Sequence, residues 1–167
     1  MQKTRLFPTS FVRYDSPVGA FGIHTRSGSI IRVDIARGGV LPGEGLDECP
    51  TALHDEARRQ FDDYFAGKRD RFDLPLLQIG TPFQDEVWGA LLRVACGETI
   101  SYGELGHRVG RENGARAVGG AISANRIAIL IPCHRVVGSD GRITGYTPGE
   151  GIETKRWLLR HEQEAFA

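Results

Sequence analysis

The order of patterns along this 167-residue chain predicts an α+β fold, with strands gathered in the first half and helices in the second. Three observations carry that prediction. Segments 11–14, 20–25 and 29–35 are β-rich, and Arg26-Ser27-Gly28 supplies turn chemistry between the last two. Leu53, Ala57, Phe61, Tyr64 and Phe65 then recur at helical spacing, closed by Gly67. From Thr81 onward, capping residues and terminal glycines follow one another at the intervals of successive helices. The length suits one ordinary domain or two small ones. We place a boundary in the extended stretch 71–80, which contains Pro75. It separates an N-terminal α/β unit, 1–78, from a mostly helical unit, 79–167.

Each element has its own signal. Between the strands and the first helix, 38–50 is a Gly/Pro-rich loop. Thr81-Pro82 starts a helix, with a capping hydroxyl followed by a proline whose missing N–H is harmless at the first helical position. Val87, Leu91 and Val94, with Trp88, Leu92 and Ala95, give it a broad apolar face that Gly97 ends. Ser101-Tyr102-Gly103-Glu104 fits the capping box and starts a short helix to Val109, stopped by Gly110. After the turn Arg111-Glu112-Asn113-Gly114, a second short helix runs from Ala115 to about Ala124, so the pair reads as a helix-turn-helix. The apolar run Ile129-Leu130-Ile131 reads as strand-like up to Pro132. A final helix carries Trp157, Leu158 and His161 and reaches Glu162.

Composition narrows the function classes. At 40% apolar and 25% charged residues, the chain reads as a soluble globular protein without a bilayer-spanning run. No apolar segment of signal-peptide length follows Met1-Gln2-Lys3-Thr4-Arg5. Cys49, Cys96 and Cys133 are odd in number and widely spaced, which argues for a reducing compartment, read here as the cytoplasm. With only Cys49, His54 and His24 as ligand candidates, no metal is expected. Net charge is zero, yet from Leu105 to Tyr146 six arginines face two acids, a local +4. That suits a phosphate backbone, and equally an unevenly charged solvated face.

Two segments carry chemistry. Cys133 and His134 follow Pro132 directly, which puts a thiol and an imidazole together at a bend. A nearby base makes thiolate available near neutral pH, so Cys133 is a candidate nucleophile; adjacency alone fits a small buried cysteine as well. The other segment is the second helix of the pair, where Arg116 is the one long polar side chain. A helix reading bases in the major groove needs several such side chains. Gly119-Gly120 costs helix stability, so close packing must offset the loss. The surface approached is either the protein's own core or the minor groove of DNA, with Arg116 as a lone probe.

These pieces combine into a recognisable pattern. Pro132-Cys133-His134-Arg135-Val136 is preceded by Ala115-Arg116-Ala117-Val118-Gly119-Gly120-Ala121 and by Ile100-Ser101-Tyr102-Gly103-Glu104-Leu105. Phe83-Gln84-x-x-Val87-Trp88 and Lys155-x-Trp157-Leu158-Leu159-x-x-Glu162 flank them. In this order the set resembles the 6-O-alkylguanine–DNA alkyltransferase family over the whole C-terminal half; the N-terminal half is similar only in its strand-then-helix plan. The resemblance implies a ribonuclease-H-like N-terminal unit and a winged-helix-like C-terminal one. It also implies a monomer that binds double-stranded DNA at the minor groove, rotates an alkylated guanine out of the stack, and takes the alkyl group irreversibly onto its own cysteine, without a cofactor. Alkylguanine and alkylthymine both stay open as substrates.

The implied roles fall on numbered residues. Cys133 is the acceptor, His134 takes its proton through a water, and Glu162 orients the imidazole. Tyr102 assists the leaving base, and Asn125 links the recognition helix to the active-site segment. Arg116 is the finger that fills the vacated stack, with Ala115, Gly119, Ile122 and Ser123 on the DNA-facing helix and Ile122 wedging near the flipped base. Val136 offers a carbonyl to the guanine amine; Tyr146 and Thr147 line the pocket, Thr147 with a backbone donor. The sequence departs from the family pattern at Arg126, where proline usually follows the asparagine, and in the longer loop Thr147-Pro148-Gly149-Glu150-Gly151. Two other readings compete: a lesion-recognition protein that flips the base without repairing it, against which Cys133 argues, and a cysteine hydrolase of acyl substrates, against which the helix pair argues.

Overall fold

The structure, a computed structural model, describes residues 10–43 and 45–167; residues 1–9, which include the stretch read for a leader, and Glu44 in the 38–50 loop lie outside the described residues. The architecture is α+β. Strands β1 (Ser10–Ser16), β2 (Gly19–Arg26) and β3 (Ser29–Ile35) form an antiparallel sheet in that order. Ser27 and Gly28 adopt positive φ at the β2–β3 turn, as a tight hairpin requires. Alternation sends Val12, Tyr14, Phe21, Ile23 and Val33 to the face covered by helix α1 (Ala52–Phe65), through Ala57, Phe61 and Tyr64. On the opposite face Phe11, Ala20, Ala36 and Leu41 make a smaller cluster, so β2 is buried on both sides.

The 71–80 stretch is part of the sheet rather than a free linker. Ile30 N–H donates to the Pro75 carbonyl at 2.8 Å and Leu77 N–H to Ile30 at 2.9 Å. Further along the same strand, Val33 N–H donates to the Arg126 carbonyl at 3.0 Å. The edge of β3 is therefore paired twice, and the second pairing ties the N-terminal sheet to the segment that follows the helix pair.

Helix α2 (Pro82–Leu91) starts at the expected Thr81 cap, which forms a full capping box with Gln84. It ends well before Gly97. Arg93 and Val94 donate to Ala90 and Leu91 in tight turns, Leu92 is exposed, and the Val94 carbonyl accepts from the Arg135 guanidinium at 2.7 Å. Strand β4 (Ile100–Ser101) leads into α3 (Tyr102–Arg108), where Ser101 Oγ accepts from Glu104 N–H at 3.0 Å. Only this half of the expected capping box forms, because the Glu104 carboxylate pairs with Arg108. Helix α4 (Ala115–Ser123) packs on α3 across the predicted turn. Gly106 permits that approach, since a Cβ there would lie 2.9 Å from the Arg111 carbonyl oxygen. The expected strand at 129–131 is a turn instead: Ile129 has φ of 69°, and Ile131 N–H donates back to Ile127. A 3-10 turn (Cys133–Arg135) follows, then β5 (Val136–Val137), which pairs in parallel with β4. Helix α5 (Ile152–Phe166) runs beyond Glu162. One apolar core runs through both halves, from Val12 and Phe61 to Val87, Ile131 and Leu158. Among the described residues no helix is long and apolar enough to cross a membrane.

Candidate active site

Backbone pairing assembles the site. Ser101 lies beside Val137 and Ile100 beside Val136, so the parallel β4–β5 pair sets the start of α3 against the turn that carries Cys133. Tyr102, the first residue of α3, is half-buried, with its hydroxyl oxygen 3.5 Å from where a Cβ on Gly145 would stand. Asn125, just past the end of α4, donates through Nδ2 to Cys133 Sγ at 3.2 Å and to the Ile131 carbonyl at 3.1 Å. Helix α4 and the sulfur are thus joined through one carboxamide.

Cys133 is buried, at 4% exposure. Its ionisation differs from the expectation of ready thiolate near neutral pH: burial pushes the thiol upward. The Asn125 amide, the Lys155 ammonium and the backbone N–H groups of Cys133 and His134 act the other way without overcoming it. The resting sulfur is a thiol held among groups that favour its anion.

His134 is fully buried, its Nε2 2.7 Å from Glu162 Oε1. An Nε2–H donating to the carboxylate leaves the Nδ1 lone pair of the neutral ring, and this buried atom has no partner among the described residues. Glu162 is equally buried and serves four donors. Besides His134 it accepts from Arg135 Nε and Nη2, each at 2.9 Å, and from the Tyr64 hydroxyl at 2.8 Å. Burial alone would raise its pKa, but the hydrogen bonds from His134 and Arg135 and the Arg135 charge outweigh it and hold the carboxyl far below the usual carboxylate range.

Lys155 was visible in the sequence only as part of a string. It is fully buried on α5 and donates to the Val136 and Thr144 carbonyls. Burial lowers it to about 8, partly countered by Cys133. The Val136 carbonyl, expected to receive a guanine amine, already accepts from this ammonium and has one lone pair left. Tyr146 is buried with a hydroxyl that has no partner among the described residues, and burial drives its pKa up. Thr147 is exposed; its carbonyl accepts from Arg37 at 3.1 Å, while its N–H has no partner among the described residues. Arg37 also donates to the Gly149 carbonyl at 2.9 Å, clasping the long 147–151 loop. Gly149 fits there because a Cβ would come within 2.7 Å of Thr154 Oγ1.

On α4, Ala115, Arg116, Ala117, Gly120 and Ser123 are exposed and Gly119 is half-buried. Arg116 makes no ion pair among the described residues. Ile122 lies with Val118 and Ala121 on the buried side of α4 and is 8% exposed. The glycines settle where close packing does not occur, since a Cβ on Gly119 or Gly120 would meet nothing within 4 Å. The protein's own core is therefore not what these glycines approach. Of the two histidines considered as metal ligands, His54 has Nδ1 3.0 Å from both Thr51 N and Thr51 Oγ1, where it caps α1, and His24 Nε2 lies 3.2 Å from Asp34 Oδ2.

Comparison with known proteins agrees with this geometry. Residues 82–164 match the DNA-binding domain of 6-O-methylguanine DNA methyltransferases, and residues 12–78 match the ribonuclease-like domain of the same family. The chain belongs to the 6-O-methylguanine DNA methyltransferase family. Within it, the chain is 39% identical over 152 residues to the methylated-DNA–protein-cysteine methyltransferase of Methanosarcina barkeri, covering 89% of this chain and 94% of that protein. It is 47% identical over 114 residues to the enzyme of that name from Shigella flexneri, covering 68% of this chain and 63% of that longer relative. A Mycobacterium tuberculosis OGT, solved in complex with DNA, superposes with a TM-score of 0.83 at 38% identity, covering 93% of this chain and 94% of that one. The fold gives a place to residues that sequence reasoning left without a role. Arg135 sits inside the quoted Cys-His-Arg string, yet only the fold reveals that its guanidinium is the counter-charge of Glu162. Tyr64 read as core, and nothing local links it to a carboxylate 98 residues away.

Proposed function

We propose that this chain repairs alkylated DNA directly, by a single irreversible transfer of an alkyl group from the 6-oxygen of guanine to Cys133. One observation carries the reading: the Cys133 sulfur accepts from the Asn125 amide, and the next residue, His134, is bound through Nε2 to a buried carboxylate. In the transfer, the bond from sulfur to the alkyl carbon forms as the bond from that carbon to the guanine oxygen breaks. The thiol proton passes through a water to the free Nδ1 of His134, and Glu162 and Arg135 fix the ring and its charge. Because the resting group is a thiol, ionisation accompanies arrival of the base. Tyr102 donates toward the departing guanine, while Val136, Tyr146 and the Thr147 N–H line its pocket. The thioether is stable, so each molecule acts once.

DNA is the partner this reading requires. Gly119 and Gly120 leave an open strip on α4 beside the exposed Arg116, suited to the close approach of a minor groove, with Ala115 and Ser123 at its margins. Residues 1–78 act as an N-terminal scaffold and 79–167 as the catalytic and DNA-binding unit. The protein works as a monomer in the reducing cytoplasm, on alkylguanine and, as a finer extension, alkylthymine.

The test is Cys133→Ala with duplex DNA containing 6-O-methylguanine. Transfer is lost while lesion binding stays within a few-fold of the parent. Methylation persisting in that variant moves the acceptor elsewhere, and a parent protein that binds the lesion without gaining a methyl group is a recognition protein instead.

A further inference from the structure

We propose that Gln78 is a positioning residue for the nucleophile, fixing the Asn125 carboxamide so that its Nδ2 faces the Cys133 sulfur. The proposal rests on the reading of Cys133 as the alkyl acceptor. Its basis is a three-link chain. Arg126 N–H donates to Gln78 Oε1 at 2.6 Å, Gln78 Nε2 donates to Asn125 Oδ1 at 3.0 Å, and Asn125 Nδ2 donates to Cys133 Sγ at 3.2 Å.

The chemistry of a primary amide explains why the first two links matter. Its two ends are nearly the same shape but opposite in polarity, so packing alone sets its orientation poorly. Turned over, Asn125 would aim an oxygen lone pair at the sulfur and disfavour the anion the reaction needs. Donors aimed at its oxygen prevent this. Ile127 N–H supplies one at 3.0 Å and Gln78 Nε2 the other, so with Ile131 and the sulfur all four hydrogen-bonding directions of Asn125 are filled. Gln78 faces the same ambiguity, and the Arg126 N–H resolves it by requiring an oxygen there. A proline at position 126 would have no N–H to give.

Both anchors trace back to the N-terminal sheet. Gln78 follows Leu77, whose N–H is bonded to β3 at Ile30, and the Arg126 carbonyl accepts from β3 at Val33. The sheet edge therefore holds both ends of the relay that orients the sulfur's donor. This gives the N-terminal half a part in the chemistry without touching the base.

The test compares parent, Gln78→Glu and Gln78→Met. Glutamate keeps the oxygen facing Arg126 N–H but sets a second oxygen against Asn125 Oδ1; methionine removes the donor without adding charge. Two readouts are taken on the folded proteins: the rate of Cys133 modification by iodoacetamide from pH 6 to 9, resolved from Cys49 and Cys96 by peptide mass, and the rate of methyl transfer from 6-O-methylguanine duplex. Gln78→Glu should slow Cys133 modification about tenfold at each pH below its titration, equivalent to a profile moved up by about one unit, and slow transfer in step. Gln78→Met should show a smaller change in the same direction, and it decides the matter should the glutamate variant fail to fold. Parent-like Cys133 profiles in both folded variants overturn the proposal. The iodoacetamide comparison needs no DNA, so a parent that reacts with the reagent yet takes no methyl group sinks the transferase reading while the variants still decide the role of Gln78.

Discussion

Glu162 is where burial and charge are most finely opposed. A carboxylate with no exposure is costly unless its oxygens are fully engaged, and here Tyr64, His134 and Arg135 engage them. Glu162→Gln removes the anion and leaves the Arg135 guanidinium buried without its counter-charge, so it should cost about 3 kcal/mol of stability in urea unfolding; a variant as stable as the parent would mean that the cluster contributes nothing net. The same cluster gives stability a pH dependence. The folded carboxyl is depressed, so its contribution is present above the ordinary carboxylate value of 4.5 and is lost as pH falls below it. Lys155 acts at the other end. Burial lowers it to about 8, so between there and its ordinary 10.5 the unfolded chain holds a proton that the folded chain has released. This group therefore makes stability rise with pH across that window. Urea midpoints measured across pH would read both effects.

At the scale of elements, α4 is the informative case. Glycine in a helix interior costs about 1 kcal/mol relative to alanine, and the open space around Gly119 means that a methyl group fits there without collision. Gly119→Ala should therefore stabilise the free protein by about 0.5–1 kcal/mol in thermal unfolding. On duplex DNA it should slow transfer several-fold, while reaction with free 6-O-benzylguanine stays at the parental rate. Equal rates on DNA would show that nothing comes close to this strip. Arg116→Ala should show the same contrast between duplex and free base, without the gain in stability. Helix starts were legible here because caps are local: Thr81 and Ser101 each accept from the N–H three residues on. Features set from a distance were not. The early end of α2 is made by tight turns in which Arg93 and Val94 donate to Ala90 and Leu91, and the turn at Ile129 replaces a strand that β-branched residues favour. The burial of Ile122 was not legible either, because both faces of α4 carry small or apolar residues and sequence alone does not say which face is buried.

Across the whole molecule, contacts between the halves are part of the site. Tyr64 on α1 reaches Glu162 on α5, Arg37 after β3 clasps the Thr147 and Gly149 carbonyls, and Val33 pairs with Arg126. With one apolar core through both halves, calorimetry should record a single cooperative unfolding transition; two resolved transitions would contradict this coupling. The candidate nucleophile and its histidine were legible because they are adjacent in sequence. The residues that hold them were not, since Gln78 reaches Asn125, Tyr64 reaches Glu162 and Lys155 reaches the Val136 carbonyl only through the fold. The most direct check on the whole account is the mass of the intact protein after reaction with excess 6-O-methylguanine duplex, followed by peptide mapping. The account predicts one methyl group per molecule, carried by Cys133, with no further turnover. A methyl group on another residue, more than one equivalent of DNA repaired per molecule, or no gain in mass would contradict it.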